Sequence, residues 1–411
     1  MLISSSGSVD VVNISNAPKG ARTVLKMLKH LSHGCLDITL PDGQRLSFGQ
    51  SSTEDLRADL IVKEWNVFQN ALKSGDIGFA ESFISGDWET SNLTQLMELF
   101  IANRRAIDRI IYGTWLGRLY YLIKHWMRRN NRSNSTKNIH AHYDLGNSFY
   151  QLWLDESMTY SSALFDSSKD LSLAQAQRSK IQRACRMVGL HSDKPQRVLE
   201  IGCGWGSLAE VVIQDFNCIH TGVTLSPSQL KYANERLLNK GLKSDLRLQD
   251  YRDIGDAPFD SILSIEMFEA VGKEYWTTYF KNVNRLLKSG GLACIQTIVI
   301  DDALFDQYIN STDFIQQYIF PGGCLPCPSK FKELAADNGL EVVDEFCFGQ
   351  DYAETLREWR RVFNEQTSKV RGLGFDDAFM KTWEFYLCYC EAGFTQRNLD
   401  VIQFTLRKKS I

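Results

Sequence analysis

Three glycines at every second position, Gly202, Gly204 and Gly206, mark the part of the chain best suited to ligand chemistry. They follow a short apolar run, residues 197–201, and precede an amphipathic segment and a second β-rich run, residues 218–225. A strand, a glycine turn, a helix and a strand form one half of a nucleotide-binding α/β sheet. Such glycines let the backbone approach a ligand closely, and the helix start beyond them offers free N–H groups.

The glycine spacing separates a dinucleotide site from another ligand class. A dinucleotide site requires G-x-G-x-x-G and an acidic residue about 20 positions further on. This chain has Ser207 at the sixth position and Thr224 at the end of the second strand. The segment E-I-G-C-G-W-G resembles instead the first motif of S-adenosylmethionine-dependent methyltransferases. NAD or FAD binding and a plain βα turn without a ligand are the alternatives at this point.

The composition limits the class of protein further. The chain has 411 residues, 44% of them hydrophobic, which is enough for about two or three domains with packed cores. The net charge of −3 gives no electrostatic reason to expect nucleic acid. No apolar run reaches the roughly 18–20 residues of a membrane span. No secretory signal is visible at residues 1–20, so we expect a cytoplasmic protein.

The cysteines predict no metal site. Ten of them lie scattered in apolar contexts, which indicates a reduced interior. The one C-x-x-C, Cys324 and Cys327, has no second pair and no nearby histidine, so zinc or redox use is the weaker interpretation.

Four segments are expected along the chain. Residues 1–20 form a polar, flexible tail, and residues 21–127 form a smaller N-terminal α+β domain, with an accessory or lipid-associating role. Residues 128–138 form a basic linker, and residues 139–411 form an α/β domain with a helical insertion near 300–370. A hairpin is predicted around Pro41-Asp42-Gly43 because alternating strands flank this turn.

A basic stretch precedes the main domain. The apolar spacing of residues 107–126 predicts an amphipathic helix, and the basic side chains that follow are Lys124, Arg128, Arg129, Arg132 and Lys137. An ordinary packed helix with a solvated linker is one interpretation. Contact with anionic lipid head groups is the other, since each basic residue near such a surface adds about 1 kcal/mol.

A series of longer motifs is shared with one family of enzymes. In chain order they are GDIGFAESFISGDW (75–88), HYDLGN (142–147), MTYSSA (158–163), TGVTLSPSQ (221–229), SIEMFEAVG (264–272), FIQQYIFPGG (314–323), DYAETLREWR (351–360) and YLCYCEAGF (386–394). They resemble the signature of the cyclopropane-fatty-acyl-phospholipid synthases along nearly the whole chain. The resemblance implies a Rossmann-like class I methyltransferase sheet, and the use of S-adenosylmethionine to alkylate carbon–carbon double bonds of membrane lipids.

The residue types suit that chemistry. An alkene is an uncharged, poor nucleophile, so the enzyme must hold it in a dry, elongated pocket beside the sulfonium. Methyl transfer leaves a carbocation, which aromatic faces stabilise by about 2 kcal/mol or more when desolvated. Aromatic residues are dense in the shared motifs, at Phe149, Tyr150, Tyr160, Phe268, Tyr318, Phe320, Tyr386 and Phe394. Most of them are equally explained as core, whereas Tyr160 and Tyr386 lie inside matched motifs.

Ring closure requires a base, and the resemblance implies a bound bicarbonate held by a cysteine, a glutamate, a His-Thr-Ile segment and a tyrosine. Carried over to this chain, the glutamate is Glu269, the tyrosine is Tyr386 and the isoleucine is Ile298. Two positions depart from the family: Ser162 stands at the cysteine position and Gln296 at the histidine position. Both still form hydrogen bonds, but the charge and shape of the cavity must differ.

Glu391 is a third departure, because related synthases commonly carry a small residue there. We hypothesise that Glu391 supplies the base, or shapes its site, in place of a freely bound bicarbonate. A solvated glutamate near a helix end is the alternative.

The resemblance also implies a donor site. Tyr160 and Ser161 would lie at the methionine end, with Gly202 and Gly204 beneath it. The ribose hydroxyls would meet Thr224 and Gln229, and the adenine would meet Asp250 and Tyr251. Asp250 also follows a predicted strand directly, where ligands bind in open α/β sheets.

The function expected from these residues is transfer of one carbon to an unsaturated acyl chain of a membrane phospholipid, with cyclopropane formation. Olefin methylation that leaves a methyl branch is the main alternative. A conventional N- or O-methyltransferase and a non-catalytic lipid-binding protein are minor ones. We expect peripheral contact with the inner face of the membrane, no nucleic acid, and leave a homodimer open.

Overall fold

The computed structural model describes residues 17–49, 56–107, 145–165 and 170–409. The chain divides into two compact units, Met1–Tyr120 and Tyr121–Ile411. The predicted basic linker at 128–138, nearly all of the helix predicted at 107–126, and residues 142–144 of the motif HYDLGN lie outside the described residues.

The first unit combines a mixed sheet with helices. Its elements are α1 (Lys19–Leu28), β1 (Cys35–Thr39), β2 (Arg45–Gly49), β3 (Arg57–Val62), α2 (Asn66–Ser85), β4 (Trp88–Glu89) and α3 (Leu93–Ala102). The predicted hairpin is confirmed, since β1 and β2 pair antiparallel with Leu36 opposite Phe48. The strand order is β2-β1-β3-β4. Alternate residues of β1, β2 and β3 are buried, so one face of this sheet covers the core.

The second unit contains the larger sheet and the helices around it. Its elements are α4 (Asn147–Tyr150), α5 (Leu173–Met187), β5 (Arg197–Ile201), α6 (Ser207–Phe216), β6 (Ile219–Thr224), α7 (Pro227–Asn239), β7 (Asp245–Leu248), β8 (Phe259–Ile265), α8 (Trp276–Leu286), β9 (Leu287–Ile300), α9 (Asp302–Tyr308), α10 (Pro328–Asp337), β10 (Leu340–Cys347), α11 (Gly349–Glu365), α12 (Thr367–Gly372), α13 (Asp377–Thr395) and β11 (Leu399–Lys408). Between them lie a short π-helix, Ile315–Ile319, and three single 3₁₀ turns, Tyr251–Asp253, Phe268–Ala270 and Lys273–Tyr275.

The seven strands of this sheet have the order β10-β11-β9-β8-β5-β6-β7. Strands β5 to β9 pair parallel with their neighbours, and the last two strands are antiparallel. The sheet is therefore the expected class I methyltransferase fold. β11 closes it as a long antiparallel strand along β9, with Gln403 opposite Gln296.

Two apolar clusters cover the two faces of the sheet. Leu199 and Ile201 of β5 belong to one cluster, whereas Val198 belongs to the other. Successive residues of a strand point to opposite faces, so this division shows that helices enclose β5 on both sides.

The expected helical insertion at 300–370 is only partly observed. Within it, β10 joins the sheet as an edge strand beside β11. Its residues alternate between half-buried and exposed after Leu340. A strand with one wet face lacks the continuous apolar run of the central strands, which explains why the sequence pattern did not reveal it.

The strand order reverses its direction at β5. The chain continues from β5 to β6 on one side, and later reaches β8 on the other side. Ligands of open α/β sheets bind outside the carboxyl ends of the strands at such a switch point. The glycines after β5 therefore lie where the fold favours a ligand.

Candidate active site

A cavity opens at the carboxyl ends of β5, β6 and β8. All eight residues predicted for the donor site line it: Tyr160, Ser161, Gly202, Gly204, Thr224, Gln229, Asp250 and Tyr251. Residues that the sequence reasoning did not assign also line it, above all Lys180 and Glu266. One cavity thus combines the predicted donor residues with two opposite charges.

The glycine turn gives the cavity its floor. Gly202 has φ +91, and a Cβ added there would meet Cγ of Met267 at 2.8 Å. Gly204 has φ +47, and a Cβ there would meet nothing within 4 Å, because this position faces open space. The backbone can therefore approach a ligand at Gly204, while Gly202 is required by both conformation and close packing.

The residues predicted to meet the ribose and the adenine lie at or near the ends of the next two strands. Oγ1 of Thr224 donates to Oε1 of Gln229 at 3.1 Å, and both side chains are buried. Asp250 accepts from the backbone N–H and the guanidinium of Arg252 at 2.9 Å. The ring of Tyr251 packs edge-on against Tyr279 at 5.5 Å. These contacts fix the polar side chains before any ligand arrives.

An aromatic cluster stands beside the donor cavity. The hydroxyl groups of Tyr160 and Tyr386 share a hydrogen bond of 2.7 Å. The Tyr160 ring also lies 5.4 Å from Trp359 and 6.2 Å from Phe320 between ring centroids. Aromatic faces in this position can stabilise a cation that forms next to the donor.

Glu266 lies at the centre of the polar part of the site. It follows β8 directly and has φ +47, a conformation that costs a non-glycine residue about 1–2 kcal/mol. Its Oε1 accepts from the backbone N–H of Ser162 at 2.9 Å and from Nε2 of Gln296 at 2.7 Å. Its Oε2 accepts from the hydroxyl of Tyr352 at 2.7 Å. Three donors and no acceptor around one carboxyl group favour its ionised form.

Glu269 lies one 3₁₀ turn further on. Its Oε1 accepts from the backbone N–H of Ile298 at 2.5 Å. Its Oε2 is shielded from solvent and has no hydrogen-bond partner among the described residues. Removal from water and the charge of Glu266 raise the pKa of Glu269 to about 8. Burial raises the pKa of Glu266 as well, but Lys180, Tyr352, the Ser162 backbone and Gln296 oppose that shift and favour its ionised form.

Lys180 of α5 brings the compensating charge. It is fully buried, and its Nζ donates to Oγ of Ser161 at 2.5 Å. Burial lowers the pKa of Lys180 to about 8, although the charges of Glu266 and Asp155 oppose that shift. A protonated Lys180 and an ionised Glu266 together leave this part of the site without net charge.

The residues predicted for the base site do not all contact the same carboxyl group. Gln296 and the backbone of Ser162 bind Glu266, and the backbone of Ile298 binds Glu269. The Ser162 hydroxyl itself donates to the carbonyl of Ala163. The tyrosine that reaches a carboxylate is Tyr352, whereas Tyr386 bonds to Tyr160.

Glu391 does not have the surroundings of a base. Its side chain is buried on α13, and Oε1 and Oε2 accept from Nε of Arg357 and Nε of Arg360, each at 3.1 Å. It is not among the residues that line the donor cavity. Two arginines of α11 hold its charge, so the structure gives Glu391 a bracing contact between α11 and α13 and corrects the hypothesis that it replaces bicarbonate.

Three residues of the site were missed from the sequence, and each had a signal. Glu266 directly follows the buried strand β8, the same argument that singled out Asp250. Lys180 lies four residues from Ala176 and from Ala184, on the buried face of α5. Tyr352 belongs to the matched motif DYAETLREWR.

The comparisons with known proteins agree with this site. A family model described as mycolic acid cyclopropane synthetase matches residues 130–404. Tuberculostearic acid methyltransferase UfaA1 of Mycobacterium tuberculosis is 36% identical over 348 residues, 81% of this chain and 79% of that protein. Cyclopropane-fatty-acyl-phospholipid synthase of Escherichia coli is 32% identical over 347 residues, 84% of this chain and 87% of that protein.

A solved structure leads to the same conclusion. Mycolic acid cyclopropane synthase CmaA1, complexed with SAH and CTAB, superposes with a TM-score of 0.62 at 30% identity, over 66% of this chain and 98% of that one. The sheet, its glycine turn and the cavity at its switch point define an S-adenosylmethionine-dependent methyltransferase. Within that class, the chain belongs to the mycolic acid cyclopropane synthetase family, and the resemblance found in its sequence motifs is confirmed.

Proposed function

We propose that this enzyme transfers the methyl carbon of S-adenosylmethionine to the double bond of an unsaturated fatty acyl chain in a membrane phospholipid and closes a cyclopropane ring. Family membership supports the reaction class, and a relative named cyclopropane-fatty-acyl-phospholipid synthase supports the lipid. The donor would bind in the cavity above Gly204, with Tyr160 and Ser161 at its methionine end.

One observation carries the proposal more than any other. Two carboxyl groups, Glu266 and Glu269, stand beside the donor cavity with unequal hydrogen bonding. Ordinary methyl transfer to an amine or hydroxyl needs no such pair. Addition of a methyl group to an alkene creates a cation that must lose a carbon-bound proton, so an enclosed acceptor is required.

The aromatic cluster supplies what the cation needs before it loses that proton. The ring of Tyr160 lines the cavity, and its hydroxyl is fixed by Tyr386. A fixed ring presents its face to the reacting carbons without reorganisation during the reaction. An apolar wall also excludes water, which would otherwise capture the cation as an alcohol.

Bicarbonate, implied by the resemblance, does not fit the polar residues of this chain. Of the donors expected to hold it, the Ser162 N–H and the Gln296 amide already bind Glu266. The Ile298 N–H binds Glu269, and the Tyr386 hydroxyl bonds to Tyr160. Tyr352 also binds the carboxylate of Glu266. A second anion would meet a negative charge in place of free donors.

The test uses the purified full-length chain with S-adenosylmethionine and vesicles of a cis-unsaturated phospholipid. Fatty acids are analysed before and after catalytic hydrogenation under conditions that spare cyclopropanes. We expect a product with one added carbon that takes up no hydrogen. Binding of S-adenosylmethionine in a calorimeter without any modified lipid would contradict the lipid assignment.

A methyl-branched product is the second candidate. It is favoured by the 36% identity to a protein named tuberculostearic acid methyltransferase and by Ser162 and Gln296 at two family positions. If a hydride shifts before the proton is lost, the same cation gives a methylated alkene. That product has the same mass as the ring but takes up hydrogen, so the experiment above separates the two.

Contact with a membrane surface follows from the proposed substrate. No helix within the described ranges is long and apolar enough to cross a bilayer. The basic residues predicted to meet lipid head groups lie outside those ranges. Sedimentation with vesicles of neutral and of anionic phospholipid tests the contact, and stronger binding to anionic vesicles at low salt is the expected result. The cytoplasmic location and the homodimer remain predictions.

A further inference from the structure

We propose that Glu266 is a built-in base, and that its carboxylate takes the place of bicarbonate in accepting the proton from the transferred carbon. This inference rests on the proposed function and names the group that performs its last step. It replaces the sequence-based hypothesis for Glu391, whose carboxylate is bound by arginines.

The first support is the identity of the partners of Glu266. The resemblance assigns bicarbonate to Ser162, Glu269, Gln296, Ile298 and Tyr386. In this chain the groups at two of these positions, the Ser162 N–H and the Gln296 amide, donate to Glu266 instead. The hydroxyl of a different tyrosine, Tyr352, is the third donor. A carboxylate and a bicarbonate ion have the same planar pair of charged oxygens, so one can satisfy the donors of the other.

The second support is a chain of amides that holds Glu266 as an acceptor. Nε2 of Gln296 donates to Glu266, and Oε1 of Gln296 accepts from Nε2 of Gln403 at 3.0 Å. Oε1 of Gln403 accepts from Nη1 of Arg183 at 2.7 Å. Arginine can only donate, so the cation at one end orients both amides with their donors toward Glu266.

Gln296 and Gln403 are fully buried, and they face each other across paired strands. Arg183 in turn binds Asp344 at 2.9 Å and lies over the ring of Phe346 at 3.9 Å. The amide chain is therefore fixed at both ends. A histidine at position 296 would change its charge with pH, whereas glutamine keeps the donor toward Glu266 at every pH.

The third support is the free acceptor position of Glu266. Oε1 receives two donors, but Oε2 receives only Tyr352 among the described residues. Oε2 retains a lone pair, and Glu266 lines the same cavity as the proposed donor residues. Burial raises the pKa of Glu269 to about 8; it raises that of Glu266 too, but Lys180 and the three donors to Glu266 oppose the shift and favour a carboxylate there.

Methyl addition and proton loss complete the reaction in two steps. The π pair of the alkene forms a bond to the methyl carbon while the carbon–sulfur bond breaks, and its pair stays on sulfur as a neutral thioether. The positive charge passes to the other alkene carbon. A C–H bond of the added methyl group then breaks, its pair closes the ring, and the proton goes to Oε2 of Glu266. Glu266 ends neutral and releases the proton before the next turnover.

The test compares wild type, Glu266→Gln and Glu266→Gly in the vesicle assay, in buffer stripped of carbon dioxide and with added bicarbonate. Wild type should turn over equally in both buffers. Glu266→Gln should lose at least about 100-fold in turnover, since general bases contribute about 10²–10⁴-fold, while its affinity for S-adenosylmethionine in a calorimeter changes little.

Glu266→Gly is the decisive variant. Glycine suits φ +47 without strain and frees the Ser162, Gln296 and Tyr352 donors for an external anion. Its low turnover in stripped buffer should therefore rise on addition of bicarbonate, whereas Glu266→Gln should not respond.

Three results would overturn the inference: bicarbonate dependence of wild type, near-normal turnover of Glu266→Gln, or no response of Glu266→Gly to bicarbonate. Failure of the proposed function is a separate outcome, because it appears in wild type as absence of any modified lipid in both buffers.

Discussion

The side-chain amide of Gln296 donates to the carboxylate of Glu266 at 2.7 Å, across the carboxyl edge of the sheet. Glu266 directly follows β8, and Gln296 lies on the neighbouring parallel strand β9. The backbone N–H of Glu266 also donates to the carbonyl of Gln296 at 2.8 Å. Side chain and main chain thus hold the two residues in one fixed arrangement.

Gln296→Leu should lower turnover by about tenfold or more and the free energy of unfolding by about 1–3 kcal/mol. The leucine removes a donor from Glu266 and leaves the Gln403 amide unsatisfied in a fully buried position. Lipid turnover and urea unfolding measure the two effects. The double variant Gln296→Leu/Gln403→Leu is the control, because it removes both amides and should cost less stability than the sum of the single changes.

Tyr352→Phe should reduce turnover by about tenfold or more, since it removes the donor to Oε2 of Glu266 and raises the pKa of that carboxyl group. The rate profile should then lose activity at a higher pH on its acid side. Tyr386→Phe breaks only the bond to Tyr160 and should leave the acid side of the profile unchanged. If the acid side of the profile shifted in Tyr386→Phe and not in Tyr352→Phe, Tyr386 and not Tyr352 would be the tyrosine that contacts the base.

The rate of the wild type should fall above about pH 8. Burial lowers the pKa of Lys180 to about 8, and burial together with Glu266 raises that of Glu269 to about 8. Below this pH both groups carry their protons. Above it the ammonium is lost and a second carboxylate forms beside Glu266, so the site gains negative charge and loses its counter-charge.

On the acid side the rate should fall as Glu266 takes up a proton. Its pKa is raised by loss of water, while Lys180, Tyr352, the Ser162 backbone and Gln296 oppose the shift. Lys180→Met removes the opposing charge, so its acid limb should move to higher pH. An unchanged profile in Lys180→Met would show that Lys180 does not set the charge of this site.

Gly202→Ala should weaken S-adenosylmethionine binding by at least about tenfold, a change of only about 1.4 kcal/mol. The added methyl would meet Met267 at 2.8 Å, and φ is +91, so the turn must move. Gly189→Ala is the matched control: φ is +72 there, but nothing lies within 4 Å of the added carbon. It should lower stability by about 1–2 kcal/mol and leave donor affinity in calorimetry unchanged.

Glu391→Gln should lower the free energy of unfolding by about 1–3 kcal/mol, because a buried carboxylate loses its charge next to two arginines. The range is below that of a fully buried pair, since the Arg357 and Arg360 side chains are 46% and 27% exposed. Turnover per folded molecule should remain within about threefold. Glu354→Gln, which loses only an exposed pair with Arg357, should change stability little.

The residues predicted for the donor site lie around one cavity, and three of them obey a local rule. Gly202 and Asp250 follow strands of a parallel sheet and Thr224 ends one, and the carboxyl ends of such strands meet at one edge. Gly202, Thr224 and Asp250 needed only the strand pattern and the motif that follows each strand. The structure indeed places them around one cavity.

The base site depends on contacts that no local pattern contains. Tyr352 reaches Glu266 over 86 positions, and Gln403 reaches Gln296 over 107. The error on Glu391 has a geometric cause. Residues three or four apart share a helix face, but Glu391 lies five positions beyond Tyr386, which turns it away by about 140°. It therefore faces α11 and not Tyr160.

Strand β11 is translated after all the other strands of the sheet, and it carries one residue of the amide chain that ends at Glu266. Among the described residues, those that line the proposed donor cavity lie between Met158 and Val271, whereas Gln403, which aligns the amide of Gln296, belongs to β11. A nascent chain thus contains these cavity residues well over a hundred codons before the residue that orients the proposed proton acceptor. The residues proposed to bind the methyl donor are therefore translated before Gln403, and the proposed base is aligned only once β11 has been made.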